Sequence, residues 1–102
     1  MHYLNKMEFE EIQDMSRICV ENRYKKVNVV PTSSIVLNHI TEEVGEIALQ
    51  LNNQTLKRKA INFKNLGEEI SESLMLLIFL AHQNKINLED ALLNTIEDIN
   101  KR

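Results

Sequence analysis

Apolar residues along this chain recur at steps of three and four, the period of helices rather than strands. Between positions 7 and 24, Phe9, Ile12, Met15 or Ser16, Cys19 and Val20 follow that step. Glu8, Glu10, Glu11 and Asp14 stand near the start, where acids suit the positive end of a helix dipole. The stretch from Lys25 to Thr32 breaks the pattern with Pro31, and the residue before a proline avoids the helical region. Thr32 or Ser33 then offers an N-cap for a second helix from about Ser34 to Leu51, with an apolar stripe of Val36, Ile40, Val44, Ile47 and Leu51. A polar and basic connection follows, from Asn52 to Phe63. The third helix is expected over Asn65 to Gln83, with a first stripe of Leu66, Ile70, Leu74, Leu77 and Ala81. From Leu74 to Leu80 it is apolar on nearly every side, which calls for cover on every side. Asn87 caps a last helix, with Asp90 at the capping-box position and Leu88, Leu92, Ile96 and Ile99 as its apolar face.

Composition agrees with that pattern. Of 102 residues, 43% are hydrophobic and only two are Gly and one Pro, so few chain breakers interrupt the helices. One domain over 1–102 is expected, an all-α four-helix bundle completed by oligomerisation as a homodimer or homotetramer. The surplus apolar surface of the third helix places Leu76, Phe79 or Leu80 near the subunit contact. A formal charge of −3 argues against a nucleic-acid polymer as partner. The single Cys19 cannot form an intrachain disulfide. Met1 to Lys6 is polar with no apolar core after it, and the run Leu74 to Ala81 is far short of the roughly 20 residues of a membrane span. A cytoplasmic protein with no membrane partner is the expectation.

The chemistry is expected from two acidic segments, Glu42-Glu43-Val44-Gly45-Glu46 and Glu68-Glu69-Ile70-Ser71-Glu72. Each carries Glu-x-x-Glu, and residues three apart lie on neighbouring turns of one helix face. Glu43 with Glu46, and Glu69 with Glu72, therefore present paired carboxylates, while Glu42 points well out to solvent. One such pair alone is ordinary solvated surface. Two pairs flanking core stripes on packed helices would gather four carboxylates, and at an effective dielectric near 20 two like charges about 4 Å apart repel by roughly 4 kcal/mol. A cation between them relieves this, and Mg²⁺ is the first candidate because hard cations take oxygen ligands.

The run Glu43-Val44-Gly45-Glu46, then Leu66-Gly67-Glu68-Glu69-Ile70-Ser71-Glu72 leading into a long apolar helix, resembles the MazG-type all-α nucleotide pyrophosphohydrolases. So does Asn87-Leu88-Glu89-Asp90-Ala91-Leu92, which is similar to the start of that family's last helix. The likeness runs from about Ser34 to Arg102 and is strongest over 39–46 and 66–92. It implies that Glu43, Glu46, Glu69 and Glu72 hold Mg²⁺, or Mn²⁺, against the phosphates of a nucleoside triphosphate. The implied reaction is hydrolysis between the α- and β-phosphates to monophosphate and pyrophosphate. The family's usual last ligand is Asp where this chain has Glu72, and there is no Trp to hold a base.

Other residues fit such a substrate. His39 lies four before Glu43 on the same side and can bond a ligand carboxylate or a phosphate, or else serve a subunit contact. Lys57, Arg58, Lys59 and Lys64 can neutralise phosphates, or else form a solvated loop. Tyr3, Tyr24, Phe63 and Phe79 are the aromatics available to stack a base, Phe79 reading best as core; His82 reads as the end of a buried segment. A phosphoribosyl-ATP pyrophosphohydrolase shares the expected architecture, and a non-catalytic helical assembly protein is the alternative of another class.

Overall fold

The computed structural model describes residues 7–102, so Tyr3 and the polar segment Met1 to Lys6 lie outside the described residues. It consists of four helices and, among these residues, no strand: α1 (Phe9–Lys26), α2 (Ser33–Leu56), α3 (Phe63–Gln83) and α4 (Leu88–Asn100). Each start carries a cap, which satisfies backbone N–H groups that lack intrahelical partners. Glu8 and Glu11 form a reciprocal capping box on α1. Thr32 Oγ1 accepts from the Ile35 N–H at 3.2 Å, Asn62 Oδ1 from Asn65 at 3.0 Å, and Asn87 Oδ1 from Asp90 at 3.0 Å. The Asn62 cap lets α3 begin two residues earlier than periodicity alone suggests. α2 runs one turn beyond Leu51, because Asn52 to Leu56 contains nothing that stops a helix.

Three helices end on a left-handed residue: Asn28 (φ 57°), Arg58 (φ 52°) and Lys85 (φ 57°). At the end of α3 the Lys85 N–H donates to the His82 carbonyl and the Ile86 N–H to the Ala81 carbonyl, a Schellman closure. A residue with a Cβ is disfavoured there. Lys85→Gly is expected to raise stability by about 0.5–1 kcal/mol, read as an upward shift in the urea midpoint at unchanged slope.

α3 is the central element, packing against α2, α1 and, more slightly, α4. α2 and α3 run antiparallel: Asn84 Nδ2 meets Ser33 Oγ at 3.1 Å at one end, and Gln50 meets Glu69 at the other. The core joins Val20 and Tyr24 of α1, Val36 and Ile40 of α2, and Leu76 and Phe79 of α3. Leu76, Val20 and Val36 are almost wholly sealed. Tyr24 and Phe79 pack ring against ring, with centroids 6.0 Å apart.

The apolar residues of α3 divide differently from the sequence expectation in their middle turns. Leu76 and Phe79, expected at a subunit contact, are buried within the chain, and Leu80 packs against the same core. Of the expected α3 stripe, Ala81 is buried and Leu66 partly buried, but Ile70, Leu74 and Leu77 are about half exposed; of the α2 stripe, Val36 and Ile40 are buried but Val44 and Leu51 are about half exposed. Cys19 of α1 is exposed as well. Residues on both sides of α3 are apolar, so periodicity could not say which side the chain itself covers. α1 settles it by crossing the Leu76–Phe79 side.

Among the described residues no helix is long and apolar enough to cross a membrane.

Candidate functional site

The packing that seals Val36 and Ile40 rotates α2 so that Glu43, one turn further on, points toward α3 rather than to solvent. Its side chain is only 17% exposed. There it meets Glu72, which α3 presents one turn before Leu76. Glu43 is held above the ordinary carboxylate value, first by burial, then by repulsion from Glu72 and hydrogen bonding to it, with Glu46 adding a smaller push and His39 opposing. Two carboxyls set this close favour the neutral form of Glu43, as does its burial.

Tyr24, His39 and Glu43 stand in a row. The Tyr24 hydroxyl lies 3.0 Å from His39 Nδ1, and His39 Nε2 lies 3.5 Å from Glu43 Oε1. The Tyr24 hydroxyl and His39 Nδ1 share a hydrogen bond, whereas at 3.5 Å the contact of Nε2 with Glu43 is electrostatic. Burial pushes the Tyr24 phenol up, against the lowering pull of Arg23, which keeps it a donor. Arg23 also reaches Glu72, at 3.8 Å. His39, Tyr24 and Arg23 line a recess of about 200 Å³ floored by Val20 and Leu76.

The other two expected ligands are placed differently. Glu46 is exposed, one turn beyond Glu43 on the α2 face. Glu69 is half-buried: Gln50 Nε2 donates to its Oε1 at 2.7 Å, while its Oε2 is buried with no hydrogen-bond partner. A buried carboxylate oxygen left bare is costly, and it suits a cation or a bound water. Among the described residues no three His, Cys, Asp or Glu side chains stand together as a ready ligand set. The structure thus sets Glu43 beside Glu72, places His39 against Glu43, and holds Glu69 one turn away on Gln50.

Glu42 is exposed, as expected. Lys57, Arg58, Lys59 and Lys64 are all exposed, at the α2–α3 connection and the first turn of α3. Phe63, at the start of α3, is 74% exposed, while Phe79 is core. Sequence reasoning missed Gln50 and Arg23. Gln50 is seven residues after Glu43 and so shares its face, a signal that was available. Arg23 carried none, because its role depends on where α1 crosses α3.

Compared with protein-family models, curated proteins and solved structures, the chain matches none.

Proposed function

We propose that the chain is a Mg²⁺-dependent nucleoside triphosphate pyrophosphohydrolase, releasing a monophosphate and pyrophosphate. The observation that carries this reading is the Glu43–Glu72 carboxyl pair, formed between two helices at the edge of the core, where an uncompensated pair is unfavourable. An all-carboxylate donor set, with the bare Glu69 Oε2 one turn from Glu72, fits a hard cation. Glu43 and Glu72 would hold it, with Glu46 and Glu69 completing the set, and Mn²⁺ is an acceptable substitute. When bound, the metal supplies charge neutralisation for the phosphates and lowers the pKa of an attacking water.

The chain's own groups do the rest. His39 stands 3.5 Å from the Glu43 carboxylate, and the Tyr24 hydroxyl holds His39 in place. Arg23, on the other flank, offers a cation to phosphate or holds Glu72 in its present rotamer. The exposed Lys57, Arg58, Lys59 and Lys64 can draw a polyanion toward the α2–α3 end of the bundle.

The deciding experiment is pyrophosphate release from a panel of ribo- and deoxyribonucleoside triphosphates with Mg²⁺. A cation that binds only the folded chain stabilises it by about 2.7 kcal/mol at 100 times its Kd. The melting temperature is therefore expected to be higher in millimolar Mg²⁺ or Mn²⁺ than in chelator at matched ionic strength. Equal melting temperatures, with no nucleotide cleaved, would reject the assignment.

A second reading is favoured by one observation: Glu69 is occupied by Gln50 rather than turned toward Glu43. A helical assembly protein that keeps the scaffold without turnover would look like this. Glu72→Asp separates the two readings. In an enzyme adapted to Glu72 the shorter side chain reduces activity, whereas in a chain that has lost activity no nucleotide is cleaved by either form.

A further inference from the structure

α4 divides its apolar and polar residues between two faces more sharply than any other helix here, yet none of its residues is buried. Leu92 is 44% exposed, Ile96 53% and Ile99 52%, and Leu93 beside them 60%. Thirteen residues are at the margin for a helix in water without tertiary support. Its apolar stripe therefore needs a partner surface.

The chain has an uncovered surface of matching size. Leu37, Val44 and Leu51 on α2, and Ile70, Leu74 and Leu77 on α3, are all between 45% and 54% exposed. At 100° per residue they lie about 120–200° round from His39 and Glu72, the residues that touch α1. All six thus share the side of the α2–α3 pair turned away from α1. From Leu37 to Leu51 this face is about 21 Å long, and α4 is about 20 Å long.

The molecule as a whole carries the same surplus. Its radius of gyration is 16.1 Å, against about 13 Å for a compact domain of this length. Its accessible surface is 8242 Å², against roughly 5,900 Å² for a compact monomer of this mass. At on the order of 80 Å² for each half-exposed Leu, Ile or Val, the two faces together offer roughly 800 Å², which is one partner's share of a standard stable interface.

We propose that the occupant of the α2–α3 face is α4 of a second copy of this chain, in a reciprocal two-fold exchange. Each copy donates one arm and receives one, which gives a closed, self-complementary contact. The interface lies on the far side of the α2–α3 pair from the Glu43–Glu72 site, so it stands whether or not the chain cleaves nucleotides.

The test begins with light scattering at about 10 μM, where twice the chain mass is expected. Leu74→Glu, which places a charge in the seam, should shift the population to monomer. Directed cross-linking covers the case in which that variant unfolds. One chain carries Cys19→Ser with Leu93→Cys, the other Cys19→Ser with Leu74→Cys, and the two are mixed, exchanged and oxidised. A disulfide joining the two different chains is expected in several-fold excess over like-chain pairs. In a separate control that keeps the native Cys19 on α1 together with Leu74→Cys, no disulfide between those two positions is expected. A helical monomer, or a dimer without the mixed disulfide, would overturn the proposal.

Discussion

Replacing Glu43 by Gln is expected to abolish pyrophosphate release and, in chelator at neutral pH, to raise the melting temperature. The two effects have one cause. Glu43 sits against Glu72 with little solvent, and its carboxyl is held above the ordinary value near 4.5 by burial and by Glu72. A carboxyl whose folded-state pKa is raised favours the neutral fold. Its stabilising contribution is complete below the unfolded value and is lost as pH climbs through the raised value. Gln is neutral throughout, so the variant should lose no stability across that window, and the difference from the parent should grow with pH. The same charge is what a cation needs. Removing a group that only orients a metal ligand typically costs 10–100-fold, so loss of a ligand itself should exceed about 100-fold. His39→Ala, which removes the imidazole beside Glu43, should fall in that lower range, and Glu42→Gln should change little, since Glu42 points to solvent. Kinetics with Mg²⁺ and melting curves in chelator from pH 4 to 8 read both effects. Wild-type turnover by Glu43→Gln would remove Glu43 from the site, and an unchanged pH profile of stability would remove the Glu43–Glu72 pair as its origin.

Much of this arrangement was legible in the sequence. Four helices, the caps at Thr32 and Asn87, and the closeness of Glu43 to its own helix's core follow from period and capping chemistry, which act within a few residues. What was not legible is which of two apolar sides of α3 the chain covers. Ile70, Leu74 and Leu77 form as good a stripe as Leu76, Phe79 and Leu80, and only the crossing of α1 distinguishes them. The Arg23–Glu72 contact depends on that crossing too. The engagement of Glu69 by Gln50 is different in kind. Both residues lie on the expected faces, but a Gln among candidate metal ligands draws no attention until the antiparallel register of α2 and α3 sets it opposite Glu69.

That division of α3 makes its apolar residues unequal, and the inequality is measurable. Leu76 is 1% exposed and sits between Val20, Tyr24 and Val36, contributed by the other two core helices. Leu76→Ala removes its buried methyl groups and leaves a cavity where three helices meet, at an expected cost of about 2–5 kcal/mol. Domains of this size hold only about 5–15 kcal/mol in total. At about 4–8 °C per kcal/mol for a small domain, the melting temperature should drop by roughly 10 °C or more. Leu77 is the next residue along but is 46% exposed within the chain. Leu77→Ala should leave each chain's core intact and act on the proposed association: the dissociation constant of that dimer should rise, with a loss of melting temperature that is larger in dilute than in concentrated protein. Leu76→Ala should instead show its loss at every concentration. Equal effects from the two substitutions, independent of concentration, would show that both leucines belong to one intrachain core and that the α2–α3 face has no partner.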